Sequence, residues 1–265
     1  MPKNHSKAQS YQNICLLLAY DGTDFYGFQM QPKMRTVQQQ LEDAIAGLYG
    51  YHIRINGAGR TDAGAHATGQ AVNFIAPVKL PVEKLPQALN AKLPTDIRVW
   101  KAKEVPLDFH SRYSARGKRY TYTIDNAPIY RVLERHYSWH YPGQLDLSKM
   151  NQGAEIIQGT HDFRYFQATG SNVEDTVRTL WRVEVRNDSR DNFIRLTYAG
   201  DGFLYKMVRF ITGALVWMGK GSMAPEDLFT YIQNISNGEM KREFPALPAH
   251  GLCLEEVYYY GKDLP

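Results

Sequence analysis

Short apolar segments of two different periods alternate along the chain, and this alternation constrains the fold more than any other feature. The continuous apolar run at Gln12–Tyr20 predicts a buried strand, whereas Thr36–Tyr49 repeats its apolar residues at helical spacing. Thr36 and Gln39 match a helix capping box, and Gly50 marks the end of that helix. Strand-like and helix-like segments thus occur together, and the chain is predicted to combine them in α+β units.

The same patterns place the remaining elements. Further strands are predicted near His52–Asn56, Gln70–Ile75, Ile97–Lys103, Lys118–Asp125, Arg178–Arg186, Asn192–Tyr198 and Leu252–Tyr259. Further helices are predicted near Val82–Leu93, Leu147–Ile157, Phe203–Met218 and Pro225–Asn234.

Two strand ends share a pattern and indicate two similar halves. Residues 18–22 read Leu-Ala-Tyr-Asp-Gly, residues 196–200 read Leu-Thr-Tyr-Ala-Gly, and each precedes a predicted helix. No Pro- or Ser-rich linker separates the halves, so one continuous sheet is expected. We predict a flexible tail over 1–10, an N-terminal half over 11–106 and a C-terminal half over 107–265.

Composition excludes several classes of protein. The longest apolar run, Ile14–Ala19, has six residues, well short of the ~18 that a membrane span needs and too short for a signal peptide. The two cysteines, Cys15 and Cys253, lie at opposite ends of the chain and form neither a disulfide framework nor a CxxC knuckle. We therefore expect a cytoplasmic protein in which Cys15 is an inert core thiol.

The segment Gly57–His66 is the densest candidate for chemistry, with three glycines around Arg60 and Asp62. A dinucleotide-binding fingerprint requires glycine where Asp62 stands, and a carboxylate there would repel a pyrophosphate. No Gly-Lys-Ser/Thr follows, which excludes a phosphate-binding Walker loop. The segment is either a loop whose backbone approaches a ligand closely or a turn with a solvated charge.

A second candidate combines positive charge with aromatic residues at 109–122. It holds four cations and no acid: Arg112, Arg116, Lys118 and Arg119. Tyr120, Tyr122 and Ile124 alternate, so they would share one face of a strand. This arrangement suits phosphate binding beside a base-stacking surface, and it also fits a half-buried strand with a solvated basic edge.

Arg209 is embedded in a strongly apolar predicted helix. A buried guanidinium needs a carboxylate or phosphate partner, and Asp62 is a candidate; alternatively, the side chain extends to water. Metal sites are not expected, because His136 and His140 lack the glutamate of a zinc-binding helix and their Tyr/Trp-rich surroundings suggest a strand.

Taken together, the motifs resemble the tRNA pseudouridine synthase A family. They occur in the family's order from about residue 12 to 260: Tyr20–Thr23 with Gly27–Gln29, Gly59–His66, Asp108–Ala115 with Lys118–Tyr122, Gly159–Phe163, Phe203–Arg209 with Gly213, and Gly251–Leu254. The resemblance implies a pseudouridine synthase fold, in which a mixed, mostly antiparallel sheet is flanked by helices and built from two ferredoxin-like halves.

The resemblance also implies an activity, namely isomerisation of uridine to pseudouridine at tRNA positions 38, 39 and 40 in the anticodon stem-loop. Asp62 would be the catalytic nucleophile, attacking C1′ or C6, or else a base acting on the ribose. Tyr120 and Arg209 would complete the catalytic set, and His66 would support the loop. A homodimer without cofactor or metal is implied, with RNA bound by Arg60, Arg112, Arg116, Lys118 and Arg119. A non-catalytic basic RNA-binding module is the alternative.

Overall fold

The computed structural model describes residues 10–170, 173–188, 192–233 and 242–260. Its strands are β1 (Tyr11–Tyr20), β2 (Asn56–Gly57), β3 (His66–Pro77), β4 (Ile97–Val105), β5 (Gly117–Asp125), β6 (Trp139–His140), β7 (Gly159–Asp162), β8 (Val177–Asp188), β9 (Phe193–Gly200) and β10 (Leu252–Tyr258). Its helices are α1 (Val37–Tyr49), α2 (Leu85–Asn90), α3 (Leu147–Ile157), α4 (Met207–Gly219) and α5 (Pro225–Gln233). Of the predicted tail, only Ser10 lies within the described residues.

All ten strands belong to one sheet, as the missing linker predicts. Eight of them lie in the order β4-β1-β3-β10-β5-β9-β8-β7, while β2 pairs with β3 and β6 with β5. Pairing is antiparallel except between β10 and β3 and between β5 and β6. The sheet is therefore mixed and mostly antiparallel, which confirms the predicted fold class.

The first strand and helix form for the reasons read from the sequence. Leu16 and Leu18 of β1 are fully buried, as are Leu41 and Ile45 of α1. The Thr36 side chain accepts a hydrogen bond from the backbone N–H of Gln39, and Gly50 ends α1 in the left-handed conformation at φ 90°. Burial of these apolar side chains fixes the helix against one face of the sheet.

The last strand, β10, lies at the centre of the sheet rather than beside its predecessor in sequence. It pairs with β3 of the first half through Cys253 and Leu254, and with β5 of the second half from Leu252 to Tyr258. Leu254 is fully buried. The two predicted halves are thus joined through the chain's final strand.

Three predicted elements are wrong in extent. The strand expected over His52–Asn56 is reduced to β2, because the N–H of Ile55 donates to the Glu42 carboxylate of α1 instead of to a neighbouring strand. The helix expected from Phe203 begins at Met207, since Lys206 adopts φ 60° immediately before it. The strand suggested around His136 covers only β6, and turns precede it.

Two smaller differences follow from weak signals. No local pattern predicts β7, because its Gly-Thr-His-Asp sequence is short and carries no large apolar side chain. The predicted helix over Val82–Leu93 is divided into a short 3-10 turn and α2. Asn234, the predicted end of α5, lies outside the described residues.

Candidate active site

The Asp62 loop is held in place by the connection between β1 and α1. The N–H of Phe28 donates to the carbonyl of Thr61 at 3.1 Å, and the N–H of Gly64 donates to the carbonyl of Phe25 at 3.2 Å. A Cβ on Gly22 would lie 1.9 Å from the Ala65 carbonyl oxygen, so only glycine allows this approach. These contacts explain why the two glycine-containing motifs occur together.

Asp62 and Arg209 form the ion pair that the apolar helix predicts. Arg209 Nη1 donates to Asp62 Oδ2 at 2.6 Å, and the side chains are only 14% and 17% exposed. Arg209 Nε donates to the carbonyl of Leu247 at 2.6 Å, which fixes the guanidinium plane. Oδ1 of Asp62 accepts no hydrogen bond from the residues that the structure describes. One carboxylate oxygen is therefore oriented by arginine and the other is available to a ligand.

Tyr120 of β5 lies close enough to Asp62 to be affected by its charge. Burial, reinforced by Tyr20 and Asp62, raises the pKa of Tyr120, so its phenol is protonated at neutral pH. Its ring packs edge-to-face against Phe203 at a centroid distance of 4.9 Å. Within the described part of the chain, no group hydrogen-bonds the Tyr120 hydroxyl. The ring is thus rigidly placed and its hydroxyl is free to meet a ligand.

His66 binds backbone groups around the loop. Its Nδ1 accepts from the N–H of Gly22 at 3.0 Å, so Nε2 carries the proton and donates to the carbonyl of His136 at 2.7 Å. The Tyr137 hydroxyl donates to Asp21 beside this ring at 2.6 Å. Both ring nitrogens are therefore engaged by backbone groups.

The five predicted RNA-binding cations occupy different surroundings. Arg60 and Arg112 are exposed. Arg116 stacks on Tyr260, with its guanidinium carbon 3.4 Å from the ring centroid. Arg119 pairs with Glu255 at 3.0 Å and Glu256 at 3.3 Å, so its charge is compensated. The side chain of Lys118 lies against Gly59 of the Asp62 loop.

Two further residues contribute to this region without a clear signal in the sequence. Arg178 of β8 lies close enough to Lys118 to act on its charge, and Leu247 supplies the carbonyl that fixes Arg209. The signal for Arg178 was faint, because a single arginine at the start of a strand usually faces water. A backbone carbonyl acceptor leaves no sequence signal at all.

Other kinds of site are not found among the described residues. They contain no group of three or more His, Cys, Asp or Glu side chains placed to hold a metal ion. None of the helices in the described ranges is long and apolar enough to cross a membrane. Burial raises the pKa of Cys15 to about 12, which keeps this thiol protonated and confirms it as an inert core residue.

Comparison with known proteins places these features in a family. A family model described as tRNA pseudouridine synthase matches residues 17–114 and 154–260. The tRNA pseudouridine synthase A of Acetivibrio thermocellus is 42% identical over 248 residues, covering 94% of this chain and 100% of that protein. The protein of the same name from Geobacillus kaustophilus is 41% identical over 250 residues, covering 94% and 95% of the two chains.

Proposed function

Because the chain belongs to the tRNA pseudouridine synthase family, we propose that it isomerises uridine to pseudouridine at tRNA positions 38 to 40, in the anticodon stem-loop. The observation that carries this proposal is the Asp62 carboxylate, which Arg209 holds through one oxygen beside a buried tyrosine. Such a group suits a reaction that needs a single, precisely oriented carboxylate.

The reaction exchanges one bond for another without a net change in composition. The N1–C1′ glycosidic bond breaks, the uracil turns, and a C5–C1′ bond forms while C5 loses a proton and N1 gains one. A uridine in a stacked stem must first be turned out of the helix, at an unstacking cost of a few kcal/mol. A pocket with a rigid aromatic wall, such as Tyr120 on Phe203, stabilises the extruded base by stacking.

Asp62 would begin the reaction through its free Oδ1. It acts either as a nucleophile on C1′ or C6 or as a base on the ribose, and in each case Arg209 keeps the second oxygen fixed. Tyr120 supports the uracil through its ring and protonated hydroxyl. It cannot accept the C5 proton without first losing its own, which its raised pKa opposes. Arg60, exposed two residues before Asp62, would contact a phosphate or occupy the space that the base leaves.

The first experiment tests the reaction and the role of Asp62. Wild-type protein, Asp62→Asn and the exposed α1 control Asp43→Asn are each incubated with an unmodified tRNA transcript. Pseudouridine is then located by carbodiimide labelling and primer extension. We expect product with the wild type and Asp43→Asn, and none with Asp62→Asn, because the asparagine amide cannot act as nucleophile or base. The affinity of Asp62→Asn for tRNA should be nearly unchanged.

Two other outcomes would contradict the proposal. Pseudouridine formation by Asp62→Asn would remove the carboxylate from the mechanism. Tight tRNA binding by a wild-type protein that forms no pseudouridine would favour a non-catalytic RNA-binding module. The labelled positions in the transcript also show whether 38, 39 and 40 are all modified.

We also propose that the active protein is a homodimer. Support comes from the segment before β6, where Ile129, Val132 and Leu133 are 80%, 59% and 80% exposed. Neighbouring apolar side chains left in water are typical of a surface that another chain covers. Sedimentation at micromolar concentration should show a dimer, and Leu133→Asp should shift it toward monomer. A monomeric wild type would refute the proposal.

A further inference from the structure

Three cations surround the start of β5 next to the Asp62 loop. Lys118, Tyr120 and Tyr122 are alternate residues of β5, and alternate side chains of a strand point to the same face. The side chain of Lys118 therefore lies on the face that carries Tyr120. A Cβ on Gly59 would lie 3.1 Å from Cε and 3.5 Å from Nζ of Lys118, which shows that the lysine packs directly against the loop backbone. Gly59 precedes Asp62 by three residues, at most about 11 Å of extended chain.

Arg178 approaches the same region from β8. A Cβ on Gly202 would lie 3.0 Å from its Nε and 3.1 Å from its Cδ, so this arginine packs against the backbone that leads to Phe203. Arg112 comes from the connection between β4 and β5 and is exposed. Lys118 therefore packs against the Asp62 loop, and Arg178 packs against the segment whose phenylalanine supports Tyr120. Arg112 and Arg178 both lie close enough to Lys118 to repel its charge.

These positive charges lack adequate counter-charges within the described part of the chain. Lys118 donates no hydrogen bond and forms no ion pair there, and Arg112 has no carboxylate partner. Among the described residues, the one carboxylate that pairs with Arg178 is that of Asp175, at 3.8 Å, and it is 81% exposed. Burial, followed by repulsion from Arg112 and Arg178, lowers the pKa of Lys118 to about 8. An anion bound among them would offset both the cost of burying the Lys118 charge and the repulsion between the cations.

We propose that Lys118, Arg112 and Arg178 form a pocket for the RNA phosphate that adjoins the target uridine. The inference rests on the proposed function, because it requires that uridine to lie at Asp62. It separates the predicted cations by role: Arg119 is compensated by Glu255 and Glu256, whereas Lys118 and Arg112 act with Arg178 on a single phosphodiester. Fixing that phosphate positions the nucleotide while its base leaves the stack.

The test removes charge either from the protein cations or from the RNA phosphate that they are proposed to bind. Binding is measured in the Asp62→Asn background, so that turnover does not interfere, with anticodon stem-loop RNA carrying a neutral methylphosphonate at one phosphate at a time. We expect Lys118→Met and Arg178→Met each to weaken binding about tenfold. The matched control Arg186→Gln, on the same strand and already paired with Glu184, should change it little. In the Asp62→Asn protein that keeps Lys118, neutralising one phosphate beside the target uridine should weaken binding by a similar factor. In Lys118→Met the same neutral phosphate should weaken binding no further.

A pH profile adds a readout that a purely structural role would not change. Phosphate binding requires the protonated ammonium, so affinity for unmodified RNA should fall between pH 7 and 9 as Lys118 loses its proton. The charged groups that act on Lys118 are Arg112 and Arg178. Lys118→Arg should remove most of the fall. On the wild-type background, kcat at saturating RNA should change less than KM in Lys118→Arg and Arg178→Met.

Several results would overturn the pocket. The first is that the neutral phosphate weakens RNA binding equally in the protein that keeps Lys118 and in Lys118→Met. The second is that no neutralised phosphate beside the target uridine weakens binding. The third is that Lys118→Arg leaves the pH dependence of binding unchanged. The RNA substitutions leave the protein unaltered, so a folding defect cannot explain them. Because binding is scored without turnover, the pocket can fail while the wild type still forms pseudouridine. Conversely, absence of pseudouridine refutes the proposed function whatever the binding shows.

Discussion

At the scale of residues, the site is organised around the Asp62–Arg209 pair. Both side chains are mostly buried, so each depends on the other for compensation of its charge. The arginine has a second bond to the Leu247 carbonyl, whereas among the described residues the carboxylate is bound by the arginine alone. Loss of Arg209 should therefore release Asp62 from its orientation more completely than loss of Asp62 releases Arg209.

A double-mutant cycle tests that interdependence. Asp62→Asn and Arg209→Met should each lower the free energy of unfolding, and the double variant should lose less than their sum, with a coupling of about 1 to 3 kcal/mol. Urea unfolding followed by circular dichroism measures all four proteins. The exposed pair of Glu184 and Arg186 is the control and should couple by less than about 1 kcal/mol. Equal couplings for the two pairs would show that burial does not strengthen the first.

At the scale of elements, an irregular loop is held by neighbours with regular structure. β1 and α1 are joined by a connection whose glycines allow the backbone to touch the Asp62 loop, and His66 at the start of β3 donates to and accepts from groups on both sides. The carboxylate is thereby placed by backbone packing, and its position depends on residues outside its own loop.

Glycine substitutions separate positioning from stability. A methyl group at Gly22 would collide with the Ala65 carbonyl, so Gly22→Ala should shift the loop and lower kcat by about 10- to 100-fold. At Gly50, the end of α1, there is open space but a φ of 90°, so Gly50→Ala should cost roughly 1 to 2 kcal/mol of stability and leave kcat unchanged. Steady-state kinetics and urea unfolding measure both. A normal kcat in Gly22→Ala would mean that the loop adapts without consequence.

At the scale of the whole molecule, β10 joins the two predicted halves. Its residues pair with β3 on one side and β5 on the other, and Leu254 is fully buried. The proposed catalytic residues are drawn from both predicted halves, since Asp62 lies in the first and Tyr120 and Arg209 lie in the second. We therefore infer that the assembly of the site and the pairing of the last strand depend on each other.

The two predicted halves should therefore unfold together in a single transition. Of the four tryptophans, Trp100 lies in the first half, and Trp217 is one of three in the second. Variants that keep only Trp100 or only Trp217 should show the same urea midpoint by fluorescence. Leu254→Ala should lower both midpoints together, by about 2 to 5 kcal/mol of unfolding free energy, because it leaves a cavity at the seam. Two separate midpoints would mean that the halves fold independently.

The sequence by itself determined the elements and much of the chemistry. Local periodicity places α1 and the long strands, because apolar residues at a fixed spacing bury only one face. The alternatives that the sequence left open for Arg209 included a carboxylate partner, and those for the glycines around Asp62 included a close backbone approach. Local patterns predicted the wrong strand around Ile55, whose N–H donates to Glu42. They also began the helix too early, at Phe203, because Lys206 has a positive φ and the helix begins after it.

Only the tertiary structure decided which charges are compensated and which elements meet. Arg119 and Lys118 are neighbours in sequence, yet Arg119 pairs with two glutamates, whereas Lys118 has no ion pair among the described residues and is repelled by Arg178. The central position of β10 and the approach of Arg178 join residues more than 50 positions apart. Such contacts depend on the order of strands in the sheet, which local hydrophobic patterns do not encode, because the pairing of distant segments is selected by the packing of the complete core.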